Sequence, residues 1–257
     1  MRAIAALILF LGSTVAQAMN TWGTDFTDMW WIPTESGWGV NIIHQREILF
    51  ATFFVYGADQ KAHWYVASNV ASTGGNTFTG ELYETTGPWL GAPTFNPGAV
   101  AARTAGNVTI AFSARNRGTL TYNVDSTTVT KSIERNTFRR AELSGSYVGS
   151  AVASVTGCGS GNFTESGNLL VNLAPLPSNA ITISANFESG VQCTYSGTYQ
   201  QEGRLGMISG TFNCPNVSGA AGTFSASEIE AGPHSVLIKY EARYGTCVET
   251  GRMGGIR

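Results

Sequence analysis

Residues 192–214 read QCTYSGTYQQEGRLGMISGTFNC, and the fold class follows from how this stretch pairs with itself. Gly203-Arg204 is a two-residue turn signal with alternating runs on either side. With that turn closing a hairpin, Tyr195 faces Phe212, Gly197 faces Gly210 and Tyr199 faces Ile208. Cys193 then falls opposite Cys214 on the same face. A slip of one residue would break all these pairs together, because strand side chains alternate with a period of two. The register predicts a Cys193–Cys214 disulfide and, by elimination, Cys158–Cys247. The second bridge would tie an early strand of this half to its last one, which suits a closed barrel.

The same pattern, strand after strand, extends over residues 141–257. The four cysteines all lie there, while all six tryptophans lie within the first ninety residues. That partition predicts two antiparallel β modules, 19–140 and 141–257. Zinc is a weaker reading of the cysteines, because no CxxC-type pair is present. Charged residues make up 12% of the chain, about half the usual ~25%. Thr, Ser, Asn and Gly replace them, as in exported all-β proteins with many tight turns. The net charge is −2 and no Lys/Arg cluster occurs, which argues against a nucleic-acid partner.

Residues 1–18 fit a signal peptide: Arg2 as the n-region, Ile4–Leu11 as the apolar stretch, and Ala16-Gln17-Ala18 before the cleavage site. No later run of eighteen apolar residues predicts a transmembrane helix. The expected location is therefore the periplasm or the medium. An outer-membrane barrel is compatible with the alternation but fits two disulfides and a Gly-Gly-Ile-Arg terminus poorly.

In the first module, Asn20–Thr34 reads as irregular, with Pro33 forbidding a central strand. From Trp38 the pattern alternates, with Trp38, Val40, Ile42 and His44 on one face. Ile48–Tyr56 is apolar on both faces and reads as a strand covered on both sides. Further strands are expected at Ala62–Ala67, Asn76–Thr85, Asn107–Ser113, Gly118–Val124 and Thr127–Arg135, making a seven-stranded meander closed or nearly closed into a barrel. No helical periodicity of any length is present.

The run Trp30-Trp31-x-Pro33-x-Glu35-Ser36-Gly37-Trp38-Gly39, followed by His44-Gln45, Leu49-Phe50-Ala51-Thr52, Tyr56 and Trp64-Tyr65, resembles a segment of largely uncharacterised secreted bacterial proteins. The segment also looks like an accessory module beside secreted enzymes. The tail from Cys247, with its GRMGGIR, is similar to the ends of some of these. The resemblance covers about the first module. It implies export and a β module, and no catalytic residues carry over from it.

Trp30, Trp31, Glu35, Trp38, Trp64, Tyr65 and Trp89 form the expected ligand-binding set, an aromatic mouth for a small apolar or carbohydrate ligand. Aromatic core is the competing reading for the tryptophans. Glu35 beside Trp38 would suit a general acid if an apolar wall raised its pKa; the plainer role is to fix the bend through backbone amides. His44 and His63 sit on adjacent expected strands, but they are out of register and lack a third ligand. No cofactor motif, P-loop or HExxH appears. The leading expectation is a non-catalytic binding module. The alternatives are a structural protein whose aromatic surface docks modules or a second copy, and a hydrolase using Glu35.

Overall fold

The computed structural model describes residues 24–257; the expected leader lies outside the described residues. The described chain is all-β, folded as two closed antiparallel barrels of eight strands. The first contains β1 (Asp28–Trp31), β2 (Gly39–Gln45), β3 (Ile48–Tyr56), β4 (Ala62–Gly74), β5 (Thr77–Thr86), β6 (Ala101–Ala114), β7 (Arg117–Val124) and β8 (Thr127–Arg135). Each strand pairs with the next, and β1 closes on β8 through Trp30↔Arg135 and Trp31↔Glu134. The second contains β9 (Gly145–Thr156), β10 (Phe163–Pro175), β11 (Ala180–Phe187), β12 (Gln192–Glu202), β13 (Leu205–Asn213), β14 (Ala221–Ala231), β15 (Ser235–Tyr244) and β16 (Cys247–Ile256). It closes through β9 and β16, paired from Val248↔Thr156 to Ile256↔Val148.

Each barrel has its own core. Leu49, Phe53, Leu82, Ile110 and Leu120 fill the first, and Tyr147, Leu173, Ile181, Ile208 and Ile238 fill the second. Burying each such side chain contributes about 1.5–3 kcal/mol. The outward positions of the second barrel are largely Ser, Thr and Asn. That polarity is the reverse of an outer-membrane barrel, which is apolar outside and polar within.

The 192–214 hairpin has the expected register, with Tyr195↔Phe212, Gly197↔Gly210 and Tyr199↔Ile208 around a Gly203-Arg204 turn. Both expected disulfides, Cys193–Cys214 and Cys158–Cys247, are present.

Two expectations for the first barrel need correction. It has eight strands, because Asp28–Trp31 is one of them. Asp28 and Trp30 point inward, and Pro33 falls beyond the end of the strand, where a missing N–H costs nothing. The strand Ile48–Tyr56 is covered on one side only. Leu49, Ala51 and Phe53 are buried, whereas Phe50, Phe54 and Tyr56 are exposed. Neither the second barrel nor any other described residue covers them.

The barrels meet through a polar joint. The Gly203-Arg204 turn of the second barrel enters the end of the first. The Arg204 amide donates to Asp28 Oδ2 at 2.8 Å, and Arg204 Nε donates to the Thr27 carbonyl at 2.9 Å. The Gly203 amide donates to Thr137 Oγ1 at 2.6 Å. Asp28 is itself buried against Arg135, Nη1 to Oδ2 3.0 Å. Burial lowers the Arg135 pKa, and the Asp28 carboxylate opposes that shift. Gly203 has φ 62°, and a β-carbon there would lie 2.2 Å from Asp28 Oδ2. Only glycine fits both the turn and the joint. Asn116 Nδ2 adds a hydrogen bond to Glu202 Oε1 at 2.6 Å. The modules therefore dock through charged and polar groups, and the aromatic surface takes no part.

Candidate functional site

The expected ligand-binding residues separate into three environments. Trp30 is packed shut. Its indole N–H donates to the Phe26 carbonyl at 3.0 Å, Phe112 lies 4.9 Å from its ring, and the Arg135 guanidinium caps it at 4.9 Å. It is core, and no ligand reaches it. Trp31 points the other way from the same strand and is half-buried.

Glu35, Trp38 and Tyr65 lie at one end of the first barrel, where the β1–β2 loop, the β3–β4 turn and the β7–β8 turn gather. Glu35 Oε2 accepts from Lys131 Nζ at 2.7 Å and from Trp38 Nε1 at 3.2 Å. The Lys131 ammonium, hydrogen-bonded to Glu35, holds its carboxyl below the ordinary range. A general acid needs the opposite shift, so this pairing works against a hydrolytic role. Glu35 also fixes its loop differently from expectation: among the described residues, its carboxylate holds the side chains of Lys131 and Trp38 and no backbone amide.

Tyr65 is buried beside His63, whose ring stacks on it at 6.3 Å. Burial raises the Tyr65 hydroxyl pKa, and the nearby Glu84 charge raises it further. His63 Nε2 lies 3.2 Å from Asp59 Oδ1, and Nδ1 lies 3.7 Å from Glu84 Oε1. Arg103 bridges Glu84 at 2.6 Å and Asp125 at 2.8 Å. The charges at this mouth are thus engaged with one another. Sequence reading missed this network because Arg103 precedes the expected strand Asn107–Ser113, whereas β6 begins at Ala101 and brings it opposite Glu84. His44 is elsewhere, with its ring stacked on Phe26 at 5.6 Å.

Trp64 lies on the outside of the barrel, 51% exposed. It faces Phe54, 52% exposed, across the β3–β4 pairing. Tyr56 extends the row at 62% exposure, and Phe50 continues it in the other direction opposite Ile43 of β2. Alternate residues on one strand are about 6.6–6.8 Å apart, so Phe50 to Tyr56 spans on the order of 20 Å. The outward positions between Gly39 and Val66 on β2, β3 and β4 carry no charged residue. Asn41, Gln45 and Thr52 supply the polar groups among the aromatics. Trp89, 77% exposed, projects from the β5–β6 loop beside Leu90.

Of the seven expected residues, Trp64 belongs to this face, and Trp31, pointing outward from the neighbouring β1, flanks it. Phe50, Phe54 and Tyr56 were visible in the sequence but were assigned to a covered surface. The face can stack flat or apolar groups and offer neutral hydrogen bonds, and it has no means of neutralising a charged ligand. Neither a scan against protein-family models nor a search of curated proteins returns a match to this chain.

Proposed function

We propose that the chain is an exported, non-catalytic binding module that captures a neutral carbohydrate on the outer aromatic face of its first barrel. The exposed row Phe50, Phe54, Tyr56 and Trp64 carries this reading. An apolar patch of this kind left open on a folded chain marks an interaction site. Aromatic rings stack on the apolar faces of sugar rings, and Asn41, Thr52 and Gln45 stand ready to take up hydroxyls. The absence of charge on the face disfavours acidic polymers. Export is supported by the leader reading of residues 1–18 and by two disulfides, which persist in oxidising compartments.

Tryptophan fluorescence titrated with a panel of neutral oligosaccharides tests the proposal. A saturable response that Trp64→Ala removes supports it. No response across the panel, or a response that survives Trp64→Ala, refutes it. A second reading rests on the same exposed row: the face docks a second copy of the chain. A solution mass at twice that of the chain, reduced to one by Phe54→Ser, would favour this reading instead.

A further inference from the structure

Inside the second barrel a cavity of about 30 Å³ remains. A single water needs roughly 10–15 Å³, so the space takes a short alkyl group. Ala151, Ala185 and Ala226 are too small to fill it, and Tyr195, Phe224 and Tyr240 bound it. Apart from the two phenol hydroxyls, the wall is apolar. Tyr195 meets Phe224 edge to face at 5.1 Å and stacks on Phe212 at 5.4 Å. Tyr244 meets Phe212 edge to face at 6.0 Å. These rings stand toward the end of the barrel remote from the Gly203-Arg204 turn, because β12 starts there at Gln192.

Two carboxylates share that end. Glu249 lies on the same face of β16 as Met253, which lines the cavity, since strand side chains alternate. Its Oε1 accepts from the Tyr240 hydroxyl at 2.6 Å. Glu165 lies on the face of β10 that carries Leu169 and Val171 into the core, and it pairs with the inward Ala153. Burial raises the Glu249 carboxyl above its ordinary range, Tyr240 opposes that shift, and the Glu165 charge adds to it. Burial likewise raises the hydroxyls of Tyr195, Tyr240 and Tyr244, and the charges that act on all three are Glu249 and Glu165. No cation is among the groups acting on these four side chains.

A buried carboxyl that a second carboxylate crowds is costly to ionise unless a positive charge arrives. Aromatic rings within about 6 Å attract the same charge through their faces. Tyr240 fixes one oxygen of Glu249, and a carboxylate has about four acceptor positions, so sites remain for N–H donors. We propose that this end of the second barrel binds a short alkylammonium ion, its alkyl group in the cavity and its ammonium on Glu249 with Glu165 beside it. The aromatic rings flank the charge, and the alanines set the length of alkyl chain that fits. The site is separate from the aromatic face of the first barrel and does not depend on what that face captures.

Calorimetric titration of the full chain with n-butylammonium chloride at pH 7 tests this, with sodium butyrate and 1-butanol as matched controls. The expected result is saturable one-site binding of the ammonium, with butyrate not bound and the alcohol bound at least tenfold more weakly. Glu249→Gln should weaken the ammonium about tenfold or more, the loss of one charge-assisted contact. Glutamine retains an acceptor for Tyr240, and melting without the amine verifies the fold. Glu165→Gln alters an exposed side chain and should weaken binding in the same direction. No saturable binding of n-butylammonium overturns the proposal, as does binding that neither substitution weakens or that butyrate or butanol matches.

Discussion

Replacing Gly203 with alanine should separate what the turn requires from what the joint requires. Gly203 and Gly245 both open two-residue hairpin turns, with φ 62° and 57°. A β-carbon at Gly245 meets nothing within 4 Å, whereas one at Gly203 meets Asp28 Oδ2 at 2.2 Å, Asp28 Cγ at 2.8 Å and Arg135 Cβ at 3.0 Å. Alanine in the left-handed region costs about 1–2 kcal/mol at either site. At Gly203 the obstructing atoms are buried, so the turn must back out by on the order of 1 Å to restore ordinary contact. That movement breaks the Arg204 amide bond to Asp28 and the Gly203 amide bond to Thr137. A hydrogen bond to a buried carboxylate contributes about 1.5–3 kcal/mol, and a neutral one about 1 kcal/mol. Gly203→Ala should therefore cost about 3 kcal/mol more than Gly245→Ala, or roughly 6–12 °C in Tm for a chain of this size. Calorimetry of both variants measures the difference, and small-angle scattering detects the loosened pair of barrels. Equal melting of the two variants would refute the joint as described.

Further outcomes follow from the same geometry. Cys193→Ala with Cys214→Ala opens a loop with a sequence separation of 21, worth about 3 kcal/mol. Tyrosine signals from the second barrel should then fall more than the tryptophan transition, which reports the first barrel alone; equal falls would contradict separate cores. Glu249 is buried, which raises its pKa, while the Tyr240 hydroxyl donating to it at 2.6 Å opposes the shift. A raised carboxyl contributes stability at pH values below its unfolded pKa and loses it as pH rises through the folded one. Glu249→Gln should therefore raise Tm at pH 8 and change it little at pH 4, and an equal effect at both would refute this. Lys131→Met removes the main cause of the low Glu35 pKa, so the carboxyl should titrate at higher pH by NMR. An unmoved titration would mean that Lys131 does not hold it.

Much of the fold was legible because apolar alternation with turn residues leaves one register open. The 192–214 hairpin could satisfy its cysteine, glycine and aromatic pairs in a single alignment, and that alignment fixed both disulfides. Strand β1 was hidden because four residues carry little periodicity and Pro33 follows closely. The candidate site was less legible for a different physical reason. An aromatic strand such as Ile48–Tyr56 has the same pattern whether its second face is covered or open. Trp30 and Trp64 are likewise indistinguishable by residue type, and only the closure of the barrel decides which is core.

The aromatic face is tested most directly by the indole N–H resonances during titration with the oligosaccharide that gives the strongest fluorescence response. The account predicts that the Trp64 resonance shifts with saturation while that of Trp30, bonded to the Phe26 carbonyl, stays in place. A shift at Trp30 with Trp64 unmoved, or no oligosaccharide that moves either, would contradict it.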